Sequence, residues 1–295
     1  MTEARRRQSL RLTRGERAFA WVNTALLIVI SLIMLYPFLY VIFASLSDPI
    51  PFARFSGALW RPLGWDVGAY TCVLKNPNIL MGYENTLFYV TVGTVLQMGV
   101  TILSAYVLSR RGYMWKKTLS LFVMLTMFFN GGLIPTYLQV NALGIANTRW
   151  AMILPKLIIT FNLIILRTGF EAVPASLEES ARLDGANEFQ IMTRIVVPLS
   201  LPTVAILILY YAVGHWNTWF TAMLYLQDRK LYPIQLILRE ILFISSTSGG
   251  ASASDLYAET IKYASIIVTT VPILFIYPAV QRYFVKGMMV GAVKG

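Results

Sequence analysis

"EESARLDGANEFQIMTRIVVPLSLP", Glu178 to Pro202, interrupts a chain otherwise dominated by long apolar runs. Glu171, Glu178, Glu179, Asp184 and Glu188 crowd its beginning, with Arg182 as the one basic residue among them. What flanks the stretch sets the fold class. Of 295 residues, 57% are hydrophobic and only 13% charged, about half the charge of an ordinary soluble domain. A hydrocarbon core about 30 Å thick needs roughly 20 apolar residues of helix. Six stretches of that kind are present: Phe19 to Leu46, Asn85 to Ser109, Lys117 to Val140, Trp150 to Phe170, Leu201 to Leu226 and Ile261 to Tyr283. Lipid offers no partners to an open strand edge, so these stretches are expected to be helices. The expectation is an all-α, polytopic membrane protein with six transmembrane helices. It divides into a basic N-terminal segment (1–18), a membrane domain (19–283) and a C-terminal tail (284–295).

Sidedness follows from charge. Residues 1–18, the connection holding Arg110, Arg111, Lys116 and Lys117, the 171–200 region and the tail fall on one side, where Lys and Arg clearly outnumber Asp and Glu. The alternate connections are balanced. By the positive-inside rule both termini and the opening stretch face the cytoplasm. A net charge of +11 is then explained by topology and by anionic membrane lipid, and no nucleic-acid partner is needed. The first apolar run, preceded by six arginines from Arg5 to Arg17, is too long for a secretory signal core and is read as a retained span. Cys72 is the only cysteine, which excludes an intrachain disulfide.

The opening stretch breaks this pattern by being locally acidic on the positive side. Pro174 and Ser176 suggest a helix start, with Ser176 as cap and Glu179 reaching back in a capping box. Glu178 and Glu179 lie in the first turn, where the helix dipole favours anions. Gly185 is expected to end this helix in a left-handed conformation. A second helical segment follows, with Phe189, Met192, Ile195 and Val196 spaced for one apolar face, until Pro198 and Pro202 break it. A helix, a glycine turn and a helix suit docking into a groove of a soluble partner.

Glu179, Ala181, Gly185, Ile195 and Pro198 match the spacing E-A-A-x3-G-x9-I-x-L-P of the cytoplasmic loop in bacterial ABC-importer permeases. Ser180 replaces the middle alanine and Val197 the leucine. Asp184-Gly185-Ala186 resembles the D-G-A of the sugar-uptake branch. Residues 129–155, 214–226 and 281–295 resemble the carbohydrate-uptake class related to the maltose transporter, and most of all its branch for oligosaccharides, including uronate-containing ones such as pectin fragments or alginate. The resemblance implies that residues 171–200 form a coupling-helix loop between spans four and five, docked in a cytoplasmic ATPase. Its contact residues would be Ser176, Glu178, Glu179, Ala181, Asp184, Gly185, Ala186, Phe189, Ile195 and Pro198. The implied partners are a second, homologous permease forming a heterodimer, an ABC ATPase dimer and an extracytoplasmic solute-binding protein. ATP and Mg would be bound by the ATPase, leaving this chain without a cofactor of its own. The location implied is the bacterial cytoplasmic (inner) membrane. The tail would also reach the ATPase, and the connections 47–84 and 227–260 are long enough to touch the binding protein. The Ser245–Ser254 run is composed to order only on docking.

Inside the six stretches there is no Asp or Glu, and His215 is the only histidine in the chain. Ion-coupled carriers bury carboxylates as relays, so a secondary transporter is disfavoured. No G-x4-G-K-[ST] phosphate loop is present, so energy would come from a separate subunit. One His and one Cys cannot supply a nucleophile-base or metal centre for an embedded enzyme. Peptide or metal import stays open as an alternative within the ABC class.

Tyr211, His215 and Trp219 recur every fourth residue, with Trp216 and Asn217 beside them. Such a face suits sugar rings, and it equally suits helix packing. Asn130-Gly131-Gly132, followed by Pro135, should distort the third span; broken helices are used along transport pathways or as packing notches. Lys156 either snorkels to the interface or faces an acidic sugar.

Overall fold

A computed structural model describes residues 13–110, 112, 114–247 and 257–275. Residues 1–12, 248–254 of the Ser/Gly-rich run, 276–283 of the sixth apolar stretch and the tail 284–295 lie outside them. Among the described residues all regular structure is helical. The chain divides into two compact units, residues 1–70 with 250–267 and residues 71–249 with 268–295.

In the first unit, α1 (Arg14–Ser45) opens with a capping box: the Thr13 hydroxyl accepts from the Glu16 N–H, and the Glu16 carboxylate accepts from the Thr13 N–H at 2.7 Å. Most of its large apolar side chains are exposed, as expected of a helix that meets lipid. Its C-terminal end packs into a small core of Ala44, Phe52 and Leu59 with Tyr263.

The second unit is organised on α2 (Pro77–Ser109). Two bent pairs follow. Helix α3 (Lys116–Phe128) and α4 (Leu133–Ala142) meet at 114°. Two 3-10 turns over Arg149–Lys156 and α5 (Thr160–Glu171) meet at 53°. Then come α6 (Ala175–Leu183) and α7 (Glu188–Leu199), whose middle, Met192–Val196, is a π turn. Helix α8 (Leu201–Trp216) leaves α7 at 86°, after a break at Ser200 that Pro198 and Pro202 flank. Helices α9 (Phe220–Tyr225) and α10 (Ile234–Thr247) complete the run. With α1, α2 and Tyr257–Phe275 as continuous spans and each bent pair as one more, the helices account for six crossings.

One expectation is exceeded and two need correction. The third stretch is more than distorted: at Asn130-Gly131-Gly132 the chain turns through more than a right angle, with Gly132 at φ 88° and its N–H bonded to the Asn130 side chain. The fifth ends early, because Asn217 caps the C-terminus of α8 and Trp219 starts α9. Tyr211, His215 and Trp219 therefore do not share one helix face. The helix expected to start at Ser176 has Pro174 as its N-cap, without a side-chain bond; proline's fixed φ serves the start, and Ser176 lies exposed inside the helix.

Candidate functional site

The acidic stretch is held by basic residues from the connection that follows α2. Glu178 forms an ion pair with Arg110, and the two side chains are only 9% and 13% exposed. Arg110 also donates to the Ser109 hydroxyl at 3.0 Å and to the Phe170 carbonyl at 3.3 Å, and lies 4.7 Å over the Tyr106 ring. Burial pulls the Arg110 pKa below its ordinary value, yet a guanidinium stays protonated at any physiological pH. The Tyr106 hydroxyl donates to Glu188 Oε2 at 2.6 Å, and Arg182 holds Oε1 of the same carboxylate at 2.9 Å. Lys116 and Arg167 converge on Glu171 Oε1 at 3.0 and 3.1 Å. A polar pocket of about 370 Å³ lies among Arg110, Lys116, Glu171, Glu178, Glu179 and Arg182.

Between α6 and α7 the backbone makes a Schellman turn. Gly185 has φ 81°, the Ala186 N–H reaches the Ala181 carbonyl at 2.9 Å, and the Gly185 N–H reaches the Arg182 carbonyl at 3.1 Å. Asn187 and Gln190 then cap α7 reciprocally at 2.9 Å. Ala181 and Ala186 rest on a core of Phe170, Ile191, Met192 and Val196 with residues of α2, α5 and α8. The apolar face of α7 is thus Ile191, Met192 and Val196, with Ile195 half-buried; Phe189 is 66% exposed. The π turn over Met192–Val196 changes the residue count per turn, so Phe189, Met192, Ile195 and Val196 do not share the one face that 3.6-residue spacing predicts. Leu183, Asp184, Glu179 and Pro198 are exposed as well, and Glu179 and Asp184 make no ion pair among the described residues.

A second polar region runs along α2. Asn85, Tyr89, Gly93, Gln97, Thr101 and Ala105, one every fourth residue, are all buried. Asn85 donates to the carbonyls of Lys230 and Tyr232, and Tyr89 donates to that of Leu231. Thr101 and Tyr211 share a buried hydrogen bond of 2.8 Å. Gln97 donates to the Lys156 carbonyl at 2.8 Å, so its oxygen accepts from His215 Nε2 at 2.9 Å. Gly93 allows this: a Cβ there would lie 2.4 Å from His215 Nε2. Trp216 is buried near Tyr83, whereas Trp219 is stacked on Arg239 at 3.7 Å. Asn217 is exposed at the end of α8.

Asn130 takes part in neither cluster. It lines a cavity of about 400 Å³ with Gly132, Thr136, Lys156, Thr221 and Tyr225. A smaller one of about 120 Å³ lies beside Gln97, Lys156, Tyr211 and His215. Lys156 borders both, and its Nζ donates to the Thr221 hydroxyl at 3.2 Å.

The described residues form an all-helical, repeatedly broken set of apolar helices with a helix-turn-helix connector. The chain belongs to the family described as "Binding-protein-dependent transport system inner membrane component", whose model matches residues 15–290. It is 41% identical over 286 residues to the polygalacturonan/rhamnogalacturonan transport system permease protein YtcP of Bacillus subtilis, covering 95% of this chain and 99% of that one. To Protein LplC of the same organism it is 39% identical over 287 residues, covering 96% and 97%. A crystal structure of a bacterial ABC transporter involved in the import of the acidic polysaccharide alginate contains a chain similar to this one, at TM-score 0.85 and 31% identity, covering 92% of this chain and 98% of that one.

Proposed function

We propose that this chain is the membrane-spanning permease subunit of an ATP-driven importer that carries oligosaccharides, acidic ones such as pectin or alginate fragments in particular, across the bacterial cytoplasmic membrane. The names of the relatives, with polygalacturonan and alginate among their cargoes, support the substrate class. The chain performs no bond chemistry. ATP and Mg are bound by an ATPase dimer, and a second homologous permease and an extracytoplasmic binding protein complete the complex. Both termini lie on the cytoplasmic side.

The observation that carries the mechanism is the α6–Gly185–α7 connector. It presents Leu183, Asp184, Phe189 and Glu179 outward, while its inner face is bonded and packed to α2, α5 and α8. A short element exposed on one face and welded on the other transmits displacement without unfolding. Closure of the ATPase pair on ATP would push it, switching the cavity between inward and outward access, and hydrolysis would reset it.

Gly185→Asp tests this role. The left-handed backbone costs an ordinary residue about 1–2 kcal/mol, and the added carboxylate stands beside Asp184. In a complex reconstituted with its ATPase, membrane insertion should persist while ATPase binding and transport fall together. Wild-type binding and uptake in that variant would sink the docking role.

A further inference from the structure

We propose that Lys156 is the membrane-embedded counter-charge for the carboxylate of an acidic sugar unit during passage, so that this subunit, in addition to any binding protein, selects for acidic cargo. The inference rests on the importer reading above and assigns it a residue.

Lysine in a membrane span costs about 2.5–3.5 kcal/mol at mid-helix and is retained where it faces a polar cavity or a partner charge. Lys156 stands in the 3-10 turn Leu154–Lys156 ahead of α5, with its side chain exposed. Its ammonium is turned to Thr221 at the edge of the larger cavity, and its own carbonyl is fixed by Gln97 of α2. It faces a polar cavity without a partner charge: among the described residues it forms no ion pair, and neither cavity that it borders is lined by Asp or Glu. One hydrogen bond to Thr221 leaves two further ammonium donors to face an anion. Asn130, Thr136 and Thr221 around the larger cavity offer groups to sugar hydroxyls, and Phe220 and Tyr225 offer apolar faces to a ring. A cavity with hydroxyls, amide, aromatic rings and one uncompensated cation fits a uronate better than a neutral sugar, and it repels cations.

The test uses the full complex, with partner permease, ATPase and binding protein, in proteoliposomes. Uptake of a galacturonic acid trimer is compared with that of its methyl ester, which has the same shape without the charge, each at saturating loaded binding protein. Lys156→Gln should slow the acid trimer by about tenfold or more relative to the ester, with binding-protein-stimulated ATPase activity retained. Lys156→Arg should restore the acid trimer. Asn130→Asp keeps the acceptor for the Gly132 N–H yet adds a negative charge to the same cavity, and should depress the acid trimer selectively; it carries the test if Lys156→Gln fails to assemble. If the wild type imports only the acid trimer, the variants are read as acid uptake per ATPase turnover, which should fall in Lys156→Gln and recover in Lys156→Arg. Equal slowing of both trimers, or no slowing of either, overturns the role of Lys156 and leaves the importer reading intact. A wild-type complex that carries neither trimer, nor any other oligosaccharide that its binding protein takes up, overturns the importer reading itself.

Discussion

The two polar regions of this membrane chain solve the same problem in opposite ways. Around Glu171, Glu178 and Glu188, charges of both signs are brought together, so that nearly every ionised group has an opposite partner. Along α2 the buried polar side chains are neutral, and most find a carbonyl, a ring nitrogen or another hydroxyl, with Arg149 also donating to Asn85; the Thr94 hydroxyl is left without a hydrogen bond among the described residues. Away from water, a hydrogen bond between neutral groups avoids the desolvation cost that an ion pair must overcome. The most buried ion pair therefore sits at the connector, a more exposed one joins Arg229 and Glu240 elsewhere, and Lys156 is a cation without a paired anion among the described residues.

The comparison can be broken at its most buried charge. Arg110→Ala leaves Glu178 sequestered without a partner, and should destabilise by about 3–5 kcal/mol, seen as a large fall in the melting temperature of the detergent-purified complex. Adding Glu178→Gln to that variant should recover a substantial part of the loss; no recovery would mean that Arg110 acts through packing alone. On the neutral side, Gly93→Ala forces a methyl against the His215 ring and should cost about 1–3 kcal/mol by the same measurement. Smallest of all, Arg182→Ala breaks a pair whose side chains are 47% and 58% exposed, and should change stability by less than about 1 kcal/mol. A large effect there would show that the connector is held from its surface and not from Arg110.

Much of this was legible beforehand. Apolar runs located the spans, the doubled glycine located the break in the third, and Gly185 located the turn, because each depends on local chemistry. Sequence spacing failed where backbone geometry changed: the π turn split the single apolar face expected of Phe189, Met192, Ile195 and Val196, and the helix end at Asn217 separated Trp219 from His215. The pairing of Glu178 with Arg110 spans 68 positions of chain, and only tertiary structure reveals it. The every-fourth-residue stripe from Asn85 to Ala105 was a readable signal that went unused. Small and polar side chains recurring along an otherwise apolar helix mark the face that packs on other helices.

Helix α2 carries both regions, and that gives it mechanical leverage. Its 33 residues make a rod about 50 Å long. One end is clamped to the connector through Tyr106 and the adjoining Arg110, and the grip of Gln97 on Lys156 and His215 lies partway along it. A tilt of about 5° pivoting at the connector end displaces Gln97, about 18 Å along the rod, by roughly 1.6 Å. In the proposed mechanism, a push at the connector would reach the cavity through this rod without any bond along α2 having to break.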